Sequence, residues 1–133
     1  NITIIKNIED VNIMGFENEL IQVFINILNN ARDELIKMKE EKLILIEIIK
    51  DNDCLEIYIK DNAGGIPEDI IDEVFASHFT TKEEGHGTGV GLYMSKMIIE
   101  EHMNGNIEVS NTEFIFENKS CRGALFRISL PLK

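Results

Sequence analysis

The order of apolar and polar residues predicts two main helices, one short helix and a set of strands. Residues 1–14 are rich in isoleucine and indicate one or two short strands, which Gly15 ends. From Glu17 to about Met38, apolar residues recur at steps of three and four, as in a helix with one buried face. That face comprises Leu20, Phe24, Ile27, Leu28, Ala31 and Leu35.

The middle of the chain carries a predicted hairpin. Residues 43–49 are almost continuously apolar, as in a strand covered on both faces, and residues 50–53 indicate a turn. Residues 55–60 then alternate between apolar and polar, which is typical of a half-buried strand. We expect the two strands to pair, and Pro67 to begin a short helix that runs to Phe75.

The last third of the chain predicts a second helix and the rest of the sheet. Helical periodicity continues from the glycine-rich residues 85–92 to about His102, and Asn104-Gly105 ends it. Residues 107–110, a hairpin-like stretch about 112–116, and residues 124–130 complete the sheet.

Composition favours one compact domain and argues against a nucleic-acid partner. The chain has 133 residues, 44% of them hydrophobic, and a formal charge of −11. Nucleic-acid affinity comes largely from neutralising phosphates, which this charge opposes. An anionic small ligand would need a cation or local N–H donors. No apolar run reaches the ~18 residues of a membrane-spanning helix, and no signal-peptide pattern opens the chain.

The glycine-rich stretch is Gly85-His86-Gly87-Thr88-Gly89-Val90-Gly91-Leu92. Alternating glycines let a ligand approach main-chain N–H groups, and a following helix N-terminus favours phosphate. A flexible loop is the alternative interpretation. The Gly-Lys-Ser/Thr ending of a Walker A loop is absent, and the spacing does not match the Rossmann GxGxxG pattern.

Two asparagines lie on the polar stripe of the first helix. At ~100° per residue, Asn26 and Asn30 are only ~40° apart, one turn above the other. Their carbonyl oxygens could face a hard cation such as Mg²⁺, which needs only one or two protein ligands when it also binds phosphates. A solvated helix face is the alternative, and this helix alone favours it.

A carboxylate follows the second strand of the predicted hairpin, in Asp61-Asn62-Ala63-Gly64-Gly65-Ile66-Pro67. This is a common turn composition. It would also place one acceptor beside a flat ligand that the backbone approaches closely, and an exocyclic amine such as that of adenine would suit the acceptor. Lys82 is the nearest obvious cation for a phosphate, although an exposed lysine is more often a solubilising charge.

These stretches together resemble a known family. Residues 22–31 (Gln-Val-Phe-Ile-Asn-Ile-Leu-Asn-Asn-Ala), 61–67, 79–82 (Phe-Thr-Thr-Lys) and 85–92 are similar, in that order, to the N, G1, F and G2 boxes of sensor histidine kinases. The resemblance extends to the closing residues 123–131. Four boxes in order at the expected separations are a specific signal.

The resemblance implies the catalytic domain of a two-component kinase, in the superfamily that includes gyrase, heat-shock chaperone and mismatch-repair ATPases. The implied fold is a two-layer α/β sandwich with helices on one face of a mixed sheet. Residues 1–133 would form one catalytic and ATP-binding domain, without the dimerisation and phosphoacceptor domain. The implied cofactors are ATP and Mg²⁺.

The resemblance also implies residue roles. Asn30 would ligate Mg²⁺ and Asn26 would support it, both as catalytic residues. Asp61 would accept from the adenine amine, Gly65 and Ile66 would line the base, and residues 76–87 would form a lid. The residues expected to bind nucleotide are Asn26, Asn30, Asp61, Gly65, Ile66, Thr81, Lys82, Gly85, His86, Gly87, Thr88, Gly89, Val90, Gly91 and Leu92.

The chain departs from the histidine kinase pattern at three places, and it differs from the gyrase-like ATPases at a fourth. Ala63 replaces a glycine of the G1 box, and Ala76-Ser77-His78 stands where Glu-Pro-Phe or Glu-Pro-Tyr is frequent. Asp33 occupies a position where many members carry a phosphate-binding lysine. Asn26 stands where the gyrase-like ATPases carry a glutamate that activates water, and asparagine is a poor general base.

The histidine that accepts the phosphoryl group is expected outside this chain. None of His78, His86 and His102 lies in a helical hairpin of the kind that carries a phosphorylated histidine. The implied partners are that hairpin domain and, indirectly, the receiver domain of a response regulator. The isolated domain is expected to be monomeric and cytoplasmic, and membrane anchoring of the full-length protein is left open. The alternatives are an ATPase or serine/threonine kinase of the same superfamily, and a nucleotide-binding regulatory module without turnover.

Overall fold

A computed structural model describes residues 1–9, 17–76 and 91–132. In these ranges the chain forms five strands and two main helices. They are β1 (Ile2–Ile8), α1 (Glu17–Leu35), β2 (Lys42–Asp51), β3 (Cys54–Asp61), α2 (Gly91–Met97), β4 (Asn106–Phe116) and β5 (Lys119–Pro131). A short 3₁₀ turn spans Ile71–Glu73, and a π-helical turn, Ile98–His102, continues α2.

The strands form one sheet in the order β1-β2-β3-β5-β4. β1 is parallel to β2, and the other neighbours are antiparallel, so the sheet is mixed. The predicted pairing of the two central strands is confirmed, with Ile46 opposite Ile59. In the described part of the chain, no helix has the length and apolar character needed to cross a membrane.

The helical layer packs on one face of the sheet. In α1 the buried positions recur every four residues, at Val23, Ile27, Ala31 and Leu35. They join one apolar cluster with the inward-facing residues of the sheet, which include Ile44, Ile57, Ile59, Phe126 and Ile128. The predicted α/β sandwich is therefore confirmed. Val23 was missed in the predicted face, and Leu20, Phe24 and Leu28 are only partly buried.

The predicted helix from Pro67 to Phe75 is wrong as a regular helix. Only Ile71–Glu73 form a 3₁₀ turn, since the amide of Glu73 donates to Ile70 and that of Ala76 to Glu73. So short a segment is too brief to gain from α-helical propagation. Its position is fixed by packing instead. Val74 is buried, and the rings of Phe75 and Phe126 pack edge to face with their centroids 6.2 Å apart.

The end of the sheet is one long hairpin and not a series of short strands. β4 and β5 pair continuously from Asn106↔Ser129 to Phe116↔Lys119. The turn residues Glu117 and Asn118 have φ of 50° and 66°. Two positive φ angles match the twist of a tight hairpin.

Candidate functional site

Asp61 lies at the end of β3, on the same sheet face as the apolar core. Its exposed fraction is 6%. The Oδ1 atom accepts hydrogen bonds from the amides of Ala63, at 2.9 Å, and Ala124, at 3.3 Å. β5 approaches closely here, since a Cβ on Gly123 would lie 1.6 Å from the Asp61 carbonyl oxygen. The glycine at position 123 therefore lets the neighbouring strand hold the carboxylate in place.

Burial raises the pKa of Asp61 above its ordinary value of 3.8. The amides of Ala63 and Ala124 oppose this effect by stabilising the charged form, and the charge of Glu34 adds to it. Both amides reach Oδ1, so as far as the described residues go, Oδ2 can take a further donor. A buried carboxylate is costly unless it is paired. A buried carboxylate at a strand end, with its pKa raised by desolvation, is a candidate for ligand binding.

The segment after Asp61 is attached to the β4–β5 hairpin. Gly64 and Gly65 have φ of 97° and 90°. The Gly64 amide donates to the carbonyl of Arg122 at 2.9 Å. The Asn111 side chain binds Ile66 twice: Oδ1 accepts from the amide at 2.7 Å, and Nδ2 donates to the carbonyl at 2.8 Å. The predicted base-lining residues are thus anchored to the sheet.

Gly65 fits this attachment because it has no side chain. A Cβ there would lie 2.8 Å from Asn111 Oδ1, and its φ is one that L residues rarely adopt. Gly65 is therefore required by two independent features, the backbone angle and the close approach of Asn111.

On the helical side, Asn26 connects α1 to α2. Its Nδ2 donates to the Gly91 carbonyl at 3.0 Å and to Ser95 Oγ at 3.1 Å, while Oδ1 accepts from Gln22 at 2.9 Å. Because a backbone carbonyl can only accept, the amide nitrogen must face Gly91. Ser95 is fully buried, and its hydroxyl donates to the same carbonyl at 3.0 Å.

Asn30 lies one turn further along α1 and is half-buried. No hydrogen bond joins its side chain to another described residue, in contrast to Asn26. Its carbonyl oxygen is therefore available to a ligand. Within the described ranges, no group of three or more histidine, cysteine, aspartate or glutamate side chains could hold a metal ion. A cation bound at Asn30 would also need oxygen atoms from a second bound molecule.

The structure brings several predicted residues together and leaves others outside the described ranges. Asn26 contacts Gly91, and Ile66 and Leu92 both pack against the core cluster. His102 is exposed and pairs with Glu19, tying the start of α1 to the end of the second helical segment. The predicted residues that lie outside the described ranges are Thr81, Lys82, Gly85, His86, Gly87, Thr88, Gly89 and Val90, and His78 lies there too.

Three residues of this arrangement were missed in the sequence. Asn111 interrupts an otherwise strand-like stretch, but its partner Ile66 is 45 residues away in the chain. Ser95 sits one turn after Gly91 on the buried side of α2, and a single serine in a helix carries no signal of its own. Gly123 lies inside β5 but directly precedes the strand predicted at residues 124–130, and a glycine there carries no signal until the neighbouring strand is known.

Comparison with known proteins defines the class. The family model described as histidine kinase-, DNA gyrase B- and HSP90-like ATPase matches residues 15–133. The chain is 34% identical over 124 residues to the two-component sensor PprA of Pseudomonas aeruginosa, covering 90% of this chain and 12% of that protein. It is 32% identical to sporulation kinase C of Bacillus subtilis, covering 100% of this chain and 29% of the relative.

Comparison with solved structures gives the same class of protein. The catalytic domain of the histidine kinase ThkA superposes with a TM-score of 0.79 at 26% identity, over 98% of this chain and 79% of that one. The chain belongs to the histidine kinase-, gyrase B- and HSP90-like ATPase family. Within that family it is an ATP-binding domain of the sensor histidine kinase type. It spans less than a third of the length of the first curated relatives it matches.

Proposed function

We propose that this domain binds Mg-ATP and passes the γ-phosphate to a histidine on a separate dimerisation domain. The observation that carries the proposal is that the domain presents two groups of residues suited to a nucleotide. One holds the buried Asp61 carboxylate beside the anchored Gly64–Ile66 segment. The other holds Asn26 and Asn30 on adjacent turns of α1.

Asp61 is proposed to recognise the base. Two amides already occupy Oδ1, and among the described residues no donor reaches Oδ2. The exocyclic amine of adenine is a donor of the right kind for that oxygen, whereas a carbonyl at the same position of a base would be repelled. Gly65, with no side chain, would let the base lie close to the main chain.

Asn30 is proposed to bind Mg²⁺, and the fit rests on its side-chain oxygen, which accepts no hydrogen bond from another described residue. A magnesium ion neutralises phosphate charge, and it needs few protein ligands when phosphates supply the others. Asn26 has its amide nitrogen committed to Gly91 and Ser95. These contacts support a positioning role for Asn26, which would hold α1 against the helix that follows the glycine-rich residues.

Transfer to a protein is favoured over hydrolysis by the chemistry of position 26. An asparagine amide cannot take a proton from water, so it is a poor general base. A carboxylate here would also face the Gly91 carbonyl, where the amide nitrogen now donates. Phosphoryl transfer depends mainly on positioning and charge neutralisation, so a site without a nucleophile of its own can still be catalytic.

The proposed partners lie outside the chain. The acceptor would be a histidine on a helical-hairpin dimerisation domain, and a response regulator would receive the phosphoryl group in turn. PprA is named as a two-component sensor, which supports this assignment. We further propose that the isolated domain is monomeric, because such kinases dimerise through the hairpin domain. We also propose that it lies in the cytoplasm.

Calorimetric titration with a non-hydrolysable ATP analogue tests the binding step. One saturable site, with affinity that rises when Mg²⁺ replaces EDTA, is expected. Mixing the domain with ATP and a purified dimerisation domain then tests transfer, with phosphohistidine on the second protein as the expected product. ATP binding without transfer would instead support a regulatory module, and rapid release of inorganic phosphate would support an ATPase.

A further inference from the structure

We propose that Asn111 is a positioning residue of the nucleotide site, which holds the base-lining segment in its binding conformation. The inference rests on the proposed function, because it concerns the pocket in which Asp61 would recognise adenine. Asn111 lies on β4, outside every sequence motif that predicted the site.

The first step is the geometry at Ile66. The Asn111 amide group contacts both polar groups of one residue, accepting from its N–H at 2.7 Å and donating to its C=O at 2.8 Å. This is the exchange that a neighbouring strand would make with a hydrogen-bonded residue. The Asn111 side chain thus makes the two hydrogen bonds to Ile66 that a neighbouring strand would otherwise make.

The second step is the position of Asn111 in the sheet. It lies directly opposite Ala124 in the β4–β5 pairing. The amide of Ala124 donates to Oδ1 of Asp61 at 3.3 Å. One cross-strand pair therefore holds both sides of the proposed base site, the carboxylate through Ala124 and the main chain of Ile66 through Asn111.

The third step is that few other hydrogen bonds hold residues 64–66. Gly64 and Gly65 both have positive φ, and Pro67 has no amide hydrogen. Among the described residues, the other hydrogen bond that anchors residues 64–66 runs from the Gly64 amide to Arg122. Without Asn111, the main chain of Gly65 and Ile66 would be held only by the Gly64 bond and by packing of Ile66 on the core, so we expect only part of the population to be ready to bind.

A lower population of the competent conformation weakens apparent affinity in proportion. We expect Asn111→Ala to weaken ATP binding about tenfold, which corresponds to a competent fraction of roughly one-tenth. Binding of inorganic triphosphate should be unchanged, because it does not use the base site. Asn111→Asp should act in the same direction, since it replaces the donor with an oxygen that faces the Ile66 carbonyl.

The test compares Asn111→Ala and Asn111→Asp with Asn106→Ala, which alters an exposed asparagine on the same strand. Titration with ATP and with inorganic triphosphate measures the selective loss. Amide hydrogen exchange without nucleotide measures protection at Ile66. We expect faster exchange at Ile66 in both position-111 variants, with protection elsewhere in β4 and β5 retained, and wild-type behaviour in Asn106→Ala.

Unchanged ATP affinity, or equal losses for ATP and triphosphate, would overturn the proposal. So would faster exchange along the whole hairpin, since that would make Asn111 a general structural residue. If Asn111→Ala does not fold, the near-isosteric Asn111→Asp still decides between these outcomes. Failure of the wild-type protein to bind ATP would refute the proposed function, whereas protection of Ile66 would still test the contact itself.

Discussion

The two sides of the proposed site are built differently. On the sheet side, the Asp61 carboxylate and the Gly64–Ile66 segment are held by hydrogen bonds with β4 and β5 and by the Ala63 amide. On the helical side, Asn26 is held by Gly91 and Ser95, but Asn30 has no hydrogen-bonding partner among the described residues. The difference indicates that the proposed base site is held in place without a ligand, whereas the proposed cation site at Asn30 would be completed by its ligand.

The strongest disruption of the sheet side should come from Gly123→Ala. The added Cβ would lie 1.6 Å from the Asp61 carbonyl oxygen, so the two strands must separate. We expect a loss of about 3 kcal/mol in unfolding free energy, at the upper end for overpacking, together with loss of ATP binding. Urea denaturation measures the first effect and calorimetric titration the second.

Gly91→Ala is the matched control for stability. Among the described residues, the three atoms nearest to a Cβ at position 91 all belong to Asn26, at 3.8 Å or beyond, which is an ordinary contact. Its unfolding free energy should stay within about 0.5 kcal/mol of the wild-type value. Equal destabilisation of the two variants would show that the β3–β5 approach does not govern stability.

Asp61→Asn should separate binding from stability on the sheet side. Asparagine can still accept from Ala63 and Ala124, but it lacks the charge that an adenine amine would meet. Hydrogen bonds to charged groups contribute about 1.5–3 kcal/mol, so we expect ATP affinity to fall about 10- to 100-fold. Retained affinity in a titration would refute the assignment of Asp61 to the base.

The wild-type protein has a predicted pH dependence of stability that the same variant should remove. The pKa of Asp61 is raised in the folded protein by burial, so the folded state holds the proton more tightly than the unfolded state. Stability from this group therefore falls as pH rises from the ordinary value of 3.8 through the folded-state pKa, and stays lower above it. Asp61→Asn should remove that fall, which thermal unfolding at pH 4 and pH 7 would measure.

Asn30→Ala should affect the ligand and not the fold. Its side chain forms no hydrogen bond with another described residue, so we expect the unfolding free energy to change by less than about 0.5 kcal/mol. The increase in ATP affinity caused by Mg²⁺ should disappear. If that increase survived in titrations with Mg²⁺ and with EDTA, another residue would hold the ion.

Ser95→Ala should have the smallest effect on binding. It removes one hydrogen bond to Asn26 and one to the Gly91 carbonyl, but Asn26 still donates to that carbonyl. We expect a loss of about 2 kcal/mol in unfolding free energy, since a buried hydrogen bond contributes about 1 kcal/mol and two are removed. Phosphoryl transfer should slow more than ATP affinity falls, because the variant loosens α2 against α1 and leaves the base site intact. A larger fall in affinity than in transfer rate would contradict this.

The comparison also separates what could be predicted from what could not. The sequence predicted α1, the β2–β3 hairpin and the position of Asp61, because local periodicity and turn residues determine these features. It missed the continuous β4 strand, because Asn111 and Thr112 look like a turn. Their conformation depends on pairing with β5 and on the bond to Ile66.

The sequence by itself determined the class of protein, since four motifs in order specify a family, and it predicts which side chains bind adenine and a cation. Only the tertiary structure decided how Asp61 and Ile66 are held. The groups that hold them, Ala124 and Asn111, are 63 and 45 residues away along the chain. Contacts of that range depend on strand order and register, which local patterns do not encode.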